Sequence, residues 1–211
     1  MRSWEEIYFR ELKKAEILQT IVFKLNVPTE KEVQESGKKL DLSQSDLNAC
    51  YCKPVINPWS GENQSWYDVK LTVQGEHDLP SEREWFYVVV DRKRHFRAHF
   101  SGKKTKRLVS LSDPEILGQI TKGALAQEEI CYEIDFTKED PERKGIITQE
   151  MLDEYSDSEV ILQKTNKTRK DRRGKERDIW LIDFPYNPRR NNEELYRLFN
   201  EIMQRQKLKD L

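Results

Sequence analysis

Six consecutive aromatic or β-branched residues, Trp85-Phe86-Tyr87-Val88-Val89-Val90, constrain the fold more than anything else in the chain. A short apolar run with no alternation is the pattern of a strand buried on both faces, so the molecule must cover it from two sides. The next segment has a different period. Asp91-Arg92-Lys93-Arg94 turns into a stretch where Phe96, Ala98 and Phe100 alternate with Arg97 and His99, as in a strand with one wet face. After Ser101-Gly102, a turn signal, Arg107 to Leu111 forms a further short strand. Upstream, Ile17 to Leu25, Leu47 to Ile56 and Ser65 to Val73 read as strands. Downstream, Ile130 to Phe136, Val160 to Leu162 and Ile179 to Ile182 do the same.

Helices are few and short. Ser3-Trp4-Glu5-Glu6 fits a capping box, with Trp4, Ile7, Tyr8 and Leu12 at helical spacing after it. One short helix is expected within the polar connection from Asn26 to Ser45. Ser112-Asp113-Pro114-Glu115 opens another that runs to about Leu125, with proline in the first turn where its missing N–H costs nothing. Thr148 caps Gln149 to Tyr155, and Asn191 caps a last helix lined by Leu195, Leu198, Phe199 and Ile202. No repeat or low-complexity linker interrupts the order. The expected fold is α+β, dominated by a barrel-like antiparallel sheet. Residues 1–45 form an N-terminal helical extension packed on the barrel, and residues 46–211 form the barrel with its C-terminal helix.

Charge is informative through its distribution alone. The 211 residues carry 37 Lys+Arg against 38 Asp+Glu, a net of −1, which makes no global case for nucleic acid. Arg92 to Arg107, however, holds eight Lys and Arg and no acid. A face that positive attracts a phosphate backbone and releases its counterions; a solvated charged loop is the plainer alternative. A second basic segment, Lys164 to Arg177, is interrupted by Asp171 and Glu176 and reads as a solvated, mobile hairpin tip. A third segment, Asn57 to Trp66, sets Asn57, Ser60, Glu62, Asn63 and Gln64 among Trp59 and Trp66. Asn and Gln can pair bidentately with adenine and Glu can accept from cytosine, although an ordinary polar turn pinned by its tryptophans has the same letters.

Several functions find no support. No apolar run is long enough to span a bilayer, and the N-terminus lacks the basic-then-apolar pattern of a signal peptide, so a cytoplasmic protein is expected. Three cysteines are an odd count for a disulfide framework; Cys50 and Cys52 read as small apolar residues on one strand face, with no second pair to complete a metal site. A magnesium-dependent nuclease needs an Asp followed by Glu-x-Lys on adjacent strands. Glu11-Leu12-Lys13 falls on the expected helix, and Asp68-Val69-Lys70 lacks a partnering acid. None of His77, His95 and His99 starts a His-x-Lys pair, and neither a glycine-rich phosphate loop nor a Ser or Cys nucleophile motif is present. No catalytic residue, metal or cofactor is expected. A self-contained metal-dependent endonuclease and an RNA or single-strand binder are the alternatives.

From Asp91 to Pro185 the chain resembles a known family. In order come DRKRHFRAHF, SGKKTKRLVSL, SDPEILGQITKGAL, ICYEIDF, the passage IITQEMLDEYSDSEVIL, and IWLIDF. This succession is similar to the B3-like DNA-binding pseudobarrel of plant B3 transcription factors and of restriction endonucleases such as EcoRII, BfiI and the NgoFVII type. Residues 47–90 resemble it loosely and the first 45 not at all. The resemblance implies two arms laid into the major groove of double-stranded DNA. Asn57, Trp59, Ser60, Glu62, Asn63, Gln64 and Trp66 would form the first, reading base edges. Lys103, Lys104, Thr105, Lys106 and Arg107 would form the second, with Arg94, Arg97 and His99 beside it, fixing phosphates or pairing with guanines. It further implies a non-catalytic, monomeric recognition domain linked to a C-terminal nuclease domain.

Overall fold

The computed structural model describes residues 12–47, 69–90, 94–111, 116–127, 145–155 and 158–185. Among them seven strands form one sheet: β1 (Ile17–Lys24), β2 (Leu71–Thr72), β3 (Phe86–Val90), β4 (Arg94–Ser101), β5 (Arg107–Ser110), β6 (Glu159–Lys170) and β7 (Glu176–Asp183). The spatial order is β1-β6-β7-β3-β4-β5-β2. Every neighbouring pair is antiparallel except β3 with β7, which run parallel. Among the described residues three α-helices accompany the sheet: α1 (Glu30–Ser36), α2 (Ile116–Gln127) and α3 (Gln149–Tyr155). This is the mainly antiparallel α+β pseudobarrel expected from the strand-rich pattern.

The sheet curls because alternate residues on nearly every strand share one core. Ile21 and Phe23 of β1, Leu71 of β2, Phe86, Val88 and Val90 of β3, Phe96, Ala98 and Phe100 of β4, Leu108 of β5, Val160 and Leu162 of β6 and Trp180 and Ile182 of β7 all point into it. Trp180 is its largest member, with the rings of Phe86 and Phe100 at 5.0 and 5.9 Å. The outer side of β3 is covered too. Val89 packs with Leu12 and Ile179 in a second small cluster joined by Ala15, Tyr87 and Leu181. The uninterrupted apolar run is thus explained, since both faces of β3 exclude water.

The two edge strands, β1 and β2, approach each other without pairing. Asp46 stitches the gap. Its Oδ2 accepts from the amide of Asn26 at 2.9 Å, its own amide donates to the Asn26 carbonyl at 2.8 Å, and its carbonyl accepts from the Lys70 amide at 3.0 Å. The segment from Asn26 to Asp46 carries α1, whose cap Thr29 and Glu32 form the reciprocal hydrogen bonds of a capping box. α3 docks beside it, with the Gln149 amide donating to the Pro28 carbonyl and the Glu150 carboxylate accepting from the Glu30 amide.

Two expectations change. Ile17–Lys24 is a strand, as read, but it is the edge strand of the sheet and not part of an extension packed on it, in register with β6 from Glu159 to Thr165. The basic stretch 164–177, expected as a mobile tip, is mostly strand: β6 runs to Lys170, β7 begins at Glu176, and the turn is only Asp171 to Lys175. Two of its arginines, Arg169 and Arg177, place their guanidinium groups over the rings of Tyr87 in β3 and of Trp85 just before it. Arg169 sits 5.3 Å from the Tyr87 centroid and Arg177 4.5 Å from that of Trp85. The strands expected from 47 to 56 and from 130 to 136, the capping boxes at Ser3 and Ser112, the C-terminal helix, Cys50 and Cys52 lie outside the described residues.

Strand directions assign each connection to an end of the barrel. β4 and β6 finish where β3, β5 and β7 begin, so the β4–β5 and β6–β7 turns share one end. The start of β2, the end of β3 and the start of β4 belong to the other.

Candidate nucleic-acid interface

The β4–β5 hairpin carries six Lys and Arg and no acid. Its core-facing residues are Phe96, Ala98, Phe100 and Leu108, which leaves Arg97 and His99 of β4 and Arg107 and Val109 of β5 on the outer face. Ser101 pairs with Arg107, and the five residues between them make the turn. Gly102 is the residue this turn cannot replace. Its φ is +114°, and a Cβ there would run into the Thr105 carbonyl. With the backbone folded back so tightly, Lys103, Lys104 and Thr105 are all exposed at the tip. No acid occurs from residue 94 to residue 111.

Not all of the hairpin's cations are equally available. Lys106 Nζ lies 2.6 Å from Glu82 Oε1, and this hydrogen bond holds the Glu82 carboxyl below the usual glutamate range. Arg97 lies over Trp85 at 5.6 Å, on the ring that Arg177 also contacts. Beyond it His95 packs edge-on to Tyr87 at 6.1 Å. Burial, and secondarily the charge of Arg169, depresses its pKa and favours the neutral imidazole. His99 is half-buried, with an Nδ1 that has no hydrogen-bond partner in the structure. Of Arg94 the backbone opens β4.

Asn57, Trp59, Ser60, Glu62, Asn63, Gln64 and Trp66 lie outside the described residues. The stems of their segment are described. Leu47 and Val69 flank it, and the Lys70 amide bonds the Asp46 carbonyl, so the chain leaves and re-enters at one place beside β2. β2 is only two residues long. Arg107, paired with Thr72, is near enough to oppose the pKa rise that burial imposes on Asp46, as does Lys70. The stems and the β4–β5 turn thus flank the same short stretch of β2 and β5 from opposite ends.

A family model describing the NgoFVII C-terminal B3-like DNA-binding domain matches residues 19–155, nearly two thirds of the 211 residues. The chain belongs to this family. It is accordingly a B3-like DNA-binding domain, and DNA is its partner. The B3-like match begins at residue 19, well inside the portion that had shown no resemblance, which agrees with the membership of β1 in the sheet. It takes in the whole of 57–66 and 94–107, and it ends before β6 and β7. No curated protein matches the chain.

Sequence reasoning missed two features of this B3-like surface: the Trp85 ring contacted by Arg97 and Arg177, and the carboxylates Glu82 and Glu84 that receive Lys106 and Lys175. Strand parity alone puts Trp85 on the outer face, one residue before the buried Phe86. Its arginine partners, on β4 and β7, required the strand order. Among the described residues no three His, Cys, Asp or Glu side chains gather as metal ligands, and no helix is long and apolar enough to cross a membrane.

Proposed function

We propose that this domain recognises a short double-stranded DNA sequence through the major groove, as the recognition domain of a restriction endonuclease whose cutting is done by a linked nuclease domain. In this reading it acts in the cytoplasm as a monomer and needs no cofactor. The observation that carries it is the β4–β5 hairpin. An acid-free, cationic tip turns at a glycine that tolerates no side chain, and its strands are anchored in the core by Phe96, Ala98, Phe100 and Leu108. Such a tip can meet phosphates or guanine edges without first paying to order a loop. Asn57 to Trp66 belongs to a segment whose flanking residues Asp46 and Lys70 are hydrogen-bonded to each other beside β2. Its amides are suited to adenine, and we assign it the reading of bases.

Selection of bound duplexes from a random library tests the proposal. One short consensus should emerge, and its affinity should fall steeply with salt. Lys104→Glu and Arg107→Glu should weaken binding to every duplex, whereas Asn63→Ala or Gln64→Ala should change which sequence is preferred. Equal affinity for selected and random duplexes overturns sequence recognition. Chelator-sensitive cutting of plasmid by this chain alone overturns the division of labour, and preferential competition by single strands overturns the duplex as target.

A further inference from the structure

The β6–β7 hairpin extends past both of its neighbours. The last β1 residue in register with β6 is Ile17, opposite Thr165, and the first β3 residue in register with β7 is Tyr87, opposite Ile179. Asn166 still bonds the Glu16 backbone, and from Thr168 on β6 pairs in the sheet with β7 alone, through Thr168 with Asp178, Arg169 with Arg177 and Lys170 with Glu176. A register shift between Lys164 and Thr168 marks where the hairpin departs from the wall. Three residue pairs at about 3.4 Å each carry the turn roughly 10 Å beyond the sheet.

That turn is built to hold its shape. Asp171 Oδ1 accepts from the amides of Arg173 and Lys175 at 2.8 and 3.0 Å, and Oδ2 receives Arg177 Nε at 3.1 Å. Gly174 supplies the positive φ that a three-residue hairpin loop with a bulge requires. One of the segment's two acids is therefore consumed internally, while Arg172 and Arg173 stand exposed at the tip. From Lys167 to Arg177 there are seven Lys and Arg against Asp171 and Glu176.

The hairpin also has a fixed relation to the β4–β5 turn. Both lie at the same end of the barrel, and both are tied to one short loop: Lys106 to Glu82 at 2.6 Å, and Lys175 to Glu84 at 2.7 Å. The two glutamates are separated by no more than about 7 Å of backbone. Trp85, the next residue, touches Arg97 from one hairpin and Arg177 from the other. The two cationic tips are thus anchored side by side, well within the roughly 34 Å of a single duplex turn.

We infer that the β6–β7 hairpin is a second phosphate-binding element that grips the backbone of the same duplex as the β4–β5 turn, with Arg172 and Arg173 making the contacts. The inference rests on the DNA-binding reading of the β4–β5 hairpin and adds a site beyond the family-matched residues. Glu82 and Glu84 act as spacers that set the distance between the tips. Contacts of this kind carry no base information, so they raise affinity for all sequences alike.

The test compares the intact chain with Arg172→Gln/Arg173→Gln, Arg172→Glu/Arg173→Glu and Lys103→Gln/Lys104→Gln on one selected and one random duplex across a salt series. The Asp171 contacts to residue 173 are made by its backbone amide, so the neutral variant keeps the turn, and matching thermal melts verify this. The glutamine pair at 172 and 173 should lower affinity for both duplexes by the same factor and flatten the slope of log K against log salt by roughly one per lost contact; the glutamate pair should do more. Unchanged affinity and slope in both 172/173 variants, while the 103/104 variant loses both, overturns the inference and leaves the functional reading standing. A changed sequence preference would overturn the phosphate role. An intact chain that binds neither duplex defeats the functional reading itself.

Discussion

Gly102 shows how one backbone position governs the chemistry around it. The lysines beside it can approach a phosphate from a fixed direction only because the chain reverses without a side chain at the point of closest approach to Thr105. Gly102→Ala adds a methyl group to a positive-φ residue that also faces a backbone oxygen, and strain of this kind costs about 1–3 kcal/mol. The turn should relax by opening. The expected result is a lower midpoint of urea unfolding together with weaker binding to all duplexes, since Lys103 and Lys104 lose their common orientation. A variant as stable as the parent that binds equally well would show that the turn's shape is irrelevant to binding.

At the level of elements, the β6–β7 hairpin is held by a carboxylate whose ionisation can be followed. Burial pushes the Asp171 pKa up, but hydrogen bonds from the Arg177 guanidinium and the amides of Arg173 and Lys175 outweigh it and leave the carboxyl below the usual aspartate range. A lowered folded pKa means that the stabilisation is complete above the unfolded value, about 3.9, and is lost as pH falls through the folded one. The hairpin should therefore be insensitive to pH near neutrality and loosen only in stronger acid. The amide shifts of Arg173 and Lys175 should titrate below the ordinary aspartate pKa, and a midpoint above it would contradict the cap. This element also marks the limit of what the sequence disclosed. Period-two alternation announced β4, and the unbroken run announced β3, because burial leaves a direct imprint on residue type. Lys164 to Arg177 lacked that imprint: Arg169 and Arg177 lie over the rings of Tyr87 and Trp85, in another part of the sequence, so charge concealed a strand. The Thr148 cap of α3 was legible because capping is local, whereas α1 was expected only as a short helix between Asn26 and Ser45. The pairing of Glu82 and Glu84 with lysines from two hairpins was not, since it depends on which strands end together.

The whole molecule is an open sheet persuaded to behave as a barrel, and Asp46 is the residue that holds its edges. Burial is the largest influence on that carboxyl and raises its pKa, against the amide of Asn26 and the charges of Lys70 and Arg107. An acid with a raised folded pKa stabilises the fold fully below its unfolded value and loses that contribution as pH rises through the folded one, so at neutral pH the charged group is a burden on the closure it makes. Asp46→Asn keeps an oxygen for the Asn26 amide and removes the charge. It should match or exceed the parent in urea at pH 7 and lose its advantage in acid, where the parent becomes protonated. Asp46→Ala removes the acceptor as well and should cost about 1 kcal/mol. The same substitution reaches the interface: without the carboxylate, the cations of Lys70 and Arg107 are no longer offset, and binding to random duplexes should tighten in Asp46→Asn, most visibly at low salt. Should the asparagine variant prove less stable than the alanine one at pH 7, the side-chain hydrogen bond to Asn26 is not what joins the two edges, and the seam is held by the backbone hydrogen bonds of residue 46 and the packing of β1 and β2.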